Sequence, residues 1–226
     1  SGSLTVENSA GRISMATYEP KQERAKITRA KILLAARQEF ADHGYKAAST
    51  RAIAARAGVH QPQINYHFES KEALWRAVID ELYELLSLEI PDQELFESAP
   101  VEALQEVVCA LADFCVTHPE LTAITAQIGT VDSPRLRWYV DHYMRPTFDP
   151  FAEAFERAAG LEPDPHRRLV LYYALNGAAT AAYTRAPAGV LLTGVSPFDD
   201  EARALHHKVL MAIVEAVVKL FTEPES

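Results

Sequence analysis

The chain has 226 residues, 22 Lys and Arg against 31 Asp and Glu for a formal net charge of −9, and 48% hydrophobic residues. That apolar share supports a packed core and excludes a wholly disordered chain, and charges, Pro or Gly interrupt each apolar run before membrane-spanning length. The charge is unevenly placed: residues 21–82 carry eleven Lys/Arg and seven Asp/Glu, a net +4, whereas residues 83–226 carry ten and twenty-two, a net −12. A basic head on an acidic body draws a polyanion to the head and keeps the body off it.

Residues 1–20 open with SGSLTVENSAGRISM, which has neither a basic start nor an apolar stretch. This segment reads as a leader, native or expression-derived, or a mobile arm, with Met15 a candidate native start. The first helix is expected to follow Thr28 as N-cap, with Ile32, Leu33, Ala36 and Phe40 on one stripe and Gly44 as its stop. A short helix follows Ser49, turns Ile53 and Ala54 inward and ends before Gly58. A third begins at Gln61-Pro62, where proline is tolerated in the first turn, and carries Ile64 and Phe68 inward. Ser70 caps a longer helix bearing Leu74, Val78, Leu82 and Leu85.

Residues 91–100 read as a polar connector, and the body as helices near 101–117, 119–128, 134–159, 165–185 and 200–221. The intervening breaks lie at His118-Pro119, Gly129 to Pro134, Gly160 to Pro165 and Pro187 to Pro197. Period-two runs are scarce, so the expectation is an all-α chain of about nine helices. It divides into a three-helix head over 21–70 and a larger helical body over 71–226.

The stretch STRAIAARAGVHQPQINYHF, residues 49–68, has the spacing of a helix-turn-helix, whose second helix enters the DNA major groove N-terminus first. Ala54, Ala55 and Ala57 let the two helices cross closely, and Gly58 supplies the positive φ of the turn. Gln61, Gln63, Asn65, Tyr66 and His67 are left on polar or exposed positions, Pro62 starting the same helix. Amide side chains pair with adenine N6 and N7, and Tyr66 and His67 suit phosphate or sugar. Ser49, Thr50 and Arg51 at the start of the second helix, and Lys71 after the third, are placed to clamp the backbone.

Residues 28–75 resemble the DNA-binding domain of the TetR family of transcriptional regulators. The matching pattern is the Thr28 helix, Phe40, Gly44-Tyr45, Ile53-Ala54, Ala57-Gly58-Val59, Tyr66-His67-Phe68, Ser70-Lys71-Glu72 and Leu74. Gln61-Pro62 is similar to the start of the reading helix in the tetracycline repressor. The resemblance implies that Gln61, Gln63 and Tyr66 touch DNA and that Lys71 meets a phosphate. Three positions depart from the family pattern: His60 stands where Ser or Thr often caps, Asn65 where Tyr is frequent, and Ala52 where an acidic residue commonly completes a capping box. The operator therefore does not transfer from a relative.

In the body, Leu205, Val209, Ala212, Ala216 and Leu220 form one helical stripe, with Ile213 and Val217 beside it, and the preceding helix is Ala- and Gly-rich around Gly177. The resemblance implies that these last two long helices pair with their mates in a homodimer. A ligand pocket is expected from Phe114, His118, Trp138, His142, Arg145, Tyr172 and Asn176, which combine aromatic and polar groups on shared faces. Asn176 stands among Ala, Leu and Gly and must find a partner, and His142 and Arg145 hint at an anionic or polar ligand.

No GxSxG, HExxH, CxxC or P-loop is present, so no enzyme activity, metal or cofactor is expected. Cys109 and Cys115 are six apart in one helix and are expected to be buried, reduced thiols. The adjacent His206 and His207 are expected to be exposed. The expected function is a cytoplasmic, homodimeric repressor released from a palindromic operator by a small molecule, partnered by double-stranded DNA and not by a membrane. The alternative is a DNA-bound regulator whose C-terminal domain binds a protein and no small molecule.

Overall fold

The computed structural model describes residues 15–222, with side chains from residue 22. These residues form eleven helices and no strand, as the sequence periodicity requires. In chain order they are α1 (Met15–Ala47), α2 (Thr50–Ala57), α3 (Gln61–His67), α4 (Lys71–Ser87), α5 (Gln93–Ser98), α6 (Pro100–Thr117) and α7 (Pro119–Ile128). There follow α8 (134–159), α9 (165–184), α10 (Ala186–Thr193) and α11 (Asp200–Thr222).

The head folds for the reasons written in its sequence. Ile32, Leu33, Ala36 and Phe40 of α1 are buried together with Ile53 and Ala54 of α2 and Ile64 of α3. Ser49 caps α2 by accepting from the Ala52 amide at 3.1 Å, and Gly58 closes it at φ 66. Ser70 caps α4 through the Ala73 amide at 3.0 Å. Gly44 breaks α1 at φ 73, ψ 165.

Four local expectations need correction. First, α1 starts at Met15, not after Thr28. Thr28 lies inside it and donates its hydroxyl to the Arg24 carbonyl at 2.8 Å, a bond that lets a cap-forming residue sit within a helix. Residues 1–14 of the expected arm lie outside the described residues. Second, the connector at 91–100 contains α5, whose N-cap Asp92 accepts from Leu95 and which buries Phe96. Third, the break at 187–197 contains α10, started by Pro187 in its first turn and closed by Gly194 at φ 75. Fourth, His206 and His207 are half-buried rather than exposed. His206 bridges the Tyr183 hydroxyl at 3.1 Å and the Ala178 carbonyl at 2.9 Å, and His207 lies 3.2 Å from the Asp113 carboxylate. Cys115 is buried and Cys109 half-buried, and both are free.

Two apolar clusters form the interior. One runs from the head helices through α4 into Phe114, Leu121, Ile124 and Tyr139 of α6 to α8. The other gathers α6, α8, α9 and α11 around Phe151, Phe155, Leu175 and Leu210. The head therefore has no core separate from the body: its inner face continues into α7 and α8.

Helices α8 and α9 each contain one widened π turn, Val140–Met144 and Tyr172–Asn176. In α8 the physical cause lies close by. Pro146 has no N–H for the His142 carbonyl and its ring crowds that turn, so the helix opens and Arg145 bonds back to Val140. No single helix among the described residues is long and apolar enough to cross a membrane.

Candidate nucleic-acid interface and effector cavity

Helix α3 is seated by Ile64 and by Phe68, which follows it, both buried. Its opposite side carries Gln61, Pro62, Asn65 and Tyr66, all exposed, with Tyr66 at 77%. Spacings of one, four and five residues put these four on one outward face. Gln61 lies beside the start of α2 and donates from Nε2 to the Thr50 hydroxyl at 3.3 Å. Gln63 is half-buried and accepts from the His60 amide at 2.9 Å, so it caps its own helix where the residue before it offers no Ser or Thr. His67 is half-buried against Tyr66, their ring centres 5.1 Å apart. Burial, aided by the Arg29 charge, pushes its imidazole below the usual pKa.

Arg51 and Ser49 are exposed and Thr50 half-buried at the start of α2. Lys71 reaches the Lys46 carbonyl at 3.4 Å, with its ammonium 4.7 Å from the centre of the Tyr45 ring. Its place at the first turn of α4 puts an ammonium beside free backbone N–H groups, a combination that attracts a phosphate.

Head and body meet at Arg135, the second residue of α8. Its Nε and Nη2 bond the same Glu72 oxygen at 3.0 and 2.8 Å, and its guanidinium lies over the Tyr45 ring at 3.4 Å. Glu72 also receives Arg76 at 3.3 Å, and Arg76 lies over Trp138 at 4.8 Å. Burial acts to raise the Glu72 pKa, but the hydrogen bond and charge of Arg135 outweigh it, so the carboxyl sits below its usual value. Burial and the neighbouring Glu72 charge push the Tyr45 hydroxyl up. A second tie runs from Gln127 Nε2 of α7 to the Ala41 carbonyl at 2.9 Å.

The body holds a half-open cavity of about 110 Å³ between α4, α6, α8 and α9. Of the seven residues expected around a ligand, Tyr172 and Asn176 line it. The Asn176 carboxamide and the Tyr172 hydroxyl take no hydrogen bond among the described residues. Val107 and Leu111, which share the helical row of Phe114 and His118, and Tyr139, which adjoins Trp138, also line it, and the sequence pattern pointed to these faces. The rest of the wall comes from residues the sequence did not single out for a pocket, chiefly Tyr83, Val108, Met144, Phe148 and Leu175. Both π turns contribute to this wall, through Met144 on one side and Tyr172, Leu175 and Asn176 on the other. The Tyr83 and Tyr139 hydroxyls meet at 2.5 Å, and burial pushes Tyr83 up to about 12.

The other five expected residues are placed elsewhere. Phe114 is buried under His118, ring centres 4.3 Å apart. Trp138 packs on Trp75 in the head–body core. His142 stacks on Trp138 at 4.9 Å and lines an outer groove. Arg145 is exposed and pairs with Asp141 at 3.2 Å. Each was expected from helical spacing within one element, whereas the cavity is set by which elements cross.

On α11, Leu210, Val214 and Val218 face the core, each at most 9% exposed. The predicted stripe lies on the other side: Leu205, Val209 and Leu220 are 61, 47 and 71% exposed, with Ala212 and Ala216 exposed between them. Gly177 of α9 is half-buried, and an added Cβ there would meet open space.

Comparison with known proteins agrees with this geometry. Residues 32–78 match the family described as bacterial regulatory proteins, tetR family. The chain is 31% identical over 106 residues to the HTH-type transcriptional repressor NicS of Pseudomonas putida, covering 47% of this chain and 50% of NicS. It is 28% identical over 152 residues to the HTH-type transcriptional activator FasR of Mycolicibacterium smegmatis, covering 67% and 68%. The match thus spans about half the length of NicS and two thirds of FasR. Among solved structures, AibR in complex with isovaleryl coenzyme A and operator DNA superposes with a TM-score of 0.62 at 19% identity, covering 82% of this chain and 97% of AibR.

Proposed function

We propose, for a chain whose residues 32–78 match the family described as bacterial regulatory proteins, tetR family, that it acts in the cytoplasm as a homodimeric repressor, released from a palindromic operator when a small molecule enters the body cavity. Residues 21–70 form its DNA-reading unit and 71–226 its effector and dimer unit. Gln61 and Asn65 read base edges, Gln63 contributes from its capped position, and Ser49, Thr50, Arg51, Pro62, Tyr66, His67 and Lys71 fix the backbone.

One observation carries the ligand-responsive part. The same two helices bear both the head joint and the cavity wall: α4 from Glu72 to Tyr83 and Leu86, and α8 from Arg135 to Met144 and Phe148. Eleven residues of α4 separate Glu72 from Tyr83, about 16 Å at the helical rise. A guest that moves either helix at the cavity therefore moves its other end at Tyr45 and α1. It does so only to the extent that it binds one arrangement more tightly than the other. A small change of head spacing is enough, because two reading helices must sit about 34 Å apart to enter successive major grooves. The bound metabolite of AibR supports an effector reading in general terms.

The exposed Leu205, Val209 and Leu220 stripe supports the dimer. Monomers rarely leave contiguous apolar faces in water, and a two-fold axis beside α11 would cover this one with its own copy. A second reading draws on α10, where Leu191 and Leu192 are 89 and 86% exposed. There the regulator stays on DNA and docks a protein through this helix.

The test is selection of genomic fragments by the purified protein at stated salt, followed by footprinting. A protected palindrome, lost on adding a compound that binds the body, is the expected result. Salt-sensitive binding without an enriched sequence would refute specific repression, and an operator indifferent to every bound compound would move the protein-docking reading ahead.

A further inference from the structure

Outside the inner cavity, an open groove of about 810 Å³ runs between α4, α5 and α8. The two spaces share Tyr83, Leu86 and Thr147 as a common wall. Five carboxylates line the groove, Asp80, Glu84, Asp92, Glu97 and Glu153, against a single guanidinium, Arg157, and His142. Arg157 is directed at the Phe96 carbonyl at 3.0 Å. Asp80 accepts from the Tyr143 hydroxyl, Asp92 caps α5 at 3.1 Å, and Glu97 accepts from Gln93 at 2.9 Å. Glu84 and Glu153 are exposed and make no side-chain bond or ion pair among the described residues.

The carboxylates are spread along the groove and do not converge as a metal-binding group among the described residues. Between them the Tyr83 and Tyr143 rings stack at 4.3 Å, and Ile90, Pro146 and Pro150 supply apolar surface. Dispersed negative charge around aromatic faces recognises a large, weakly hydrated cation. A phosphate- or carboxylate-bearing compound would meet five like charges. Of the anionic or polar guest expected from His142 and Arg145, this geometry favours the polar alternative: His142 lies on an acidic wall and Arg145 is paired with Asp141.

We propose that the effector is an organic cation with a short apolar tail. The ammonium head lies in the groove against the Tyr83–Tyr143 stack and the Asp80, Glu84 and Glu153 carboxylates. The tail passes Tyr83 and Leu86 into the inner cavity, whose 110 Å³ corresponds to about four waters at ~30 Å³ each and fits a tail of about four carbons. This inference rests on the effector reading of the cavity and assigns the chemical class that the reading leaves open.

The test compares three probes of matched tail on the full chain by calorimetry: butyltrimethylammonium, butanesulfonate and 1-butanol. The cation is expected to bind at least tenfold tighter than the other two and to weaken with added salt. The double variant E84Q/E153Q, altered only at exposed side chains without a hydrogen bond among the described residues, is expected to lose at least fivefold toward the cation and nothing toward the alcohol. No binding by any probe, equal affinities, or an unchanged double variant overturns the proposal. DNA release on the selected fragment separates the two ideas. A cation that binds without releasing DNA sinks the effector reading and leaves the cation site standing. A sulfonate or alcohol that binds best and releases DNA overturns the charge assignment and leaves the effector reading intact.

Discussion

Replacing Gly44 by Ala tests the joint between head and body. Gly44 sits at φ 73, ψ 165, a region that residues with a Cβ occupy only at a cost of about 1–3 kcal/mol. Its added Cβ would also overlap Gln127 Oε1. That oxygen is the far end of a flexible side chain, so the amide will swing away and lose its bond to the Ala41 carbonyl, a further ~0.5–1 kcal/mol for an exposed bond. The expected loss is therefore about 1.5–4 kcal/mol, most of it from the backbone. Urea unfolding at fixed protein concentration reads it as a lower midpoint at unchanged slope. Gln127→Ala alone should cost ~0.5–1 kcal/mol, and in that background Gly44→Ala should cost only the backbone part. A Gly44→Ala protein within about 0.5 kcal/mol of wild type would refute the strain argument, because that is the usual range of a neutral surface change.

Other residues make separate predictions. Gln61→Ala should weaken binding to the selected fragment by about 1–3 kcal/mol and leave non-specific binding nearly intact, whereas Arg51→Ala should weaken all sequences and lower the salt slope by about one; equal ratios for both variants would remove the distinction. Val209→Glu places a charge on the exposed α11 stripe and should shift sedimentation from dimer to monomer; an unchanged mass would put the interface elsewhere. The lowered Glu72 pKa gives a pH signature. Its contribution is complete above the usual value of 4.5 and is lost as pH falls through the lower folded value. Arg135→Met should accordingly flatten the decline of the urea midpoint between pH 5 and 3, and an unaltered profile would show that the pair does not stabilise the joint.

The head was legible because its rules are local. Ser49, Gly58, Pro62 and Ser70 act within a few residues of themselves, through caps, a left-handed turn and a tolerated first-turn proline. The exposed face of α3 then follows from where Ile64 and Phe68 must be buried. The α11 stripe was legible for a similar reason, since one helix shows two apolar faces and only one, through Leu210 and Val214, reaches the core. Short elements escaped for the opposite reason. Six residues of α5 and eight of α10 are too few to display a period, and their Pro and Gly read equally as loop.

The cavity was legible only in part, through Tyr172, Asn176 and the row of Val107 and Leu111, and its geometry explains why. Tyr83 and Asn176 lie far apart in sequence and meet because α4 and α9 both border a space that α8 leaves open. That space depends on a defect: Pro146 interrupts α8, the backbone widens over Val140–Met144, and Met144 and Thr147 are turned to the cavity wall. Spacing rules that assume a regular helix rotate every residue beyond the defect to the wrong side, which places Arg145 in the pocket when it faces water. The same widening divides α8 into a head-bound start at Arg135 and Trp138 and a body-bound remainder at Phe148 and Phe151. Such π turns inside α-helices recur at functional sites, and under the proposed effector reading this one is where a guest in the cavity would alter how the start of α8 bears on the head.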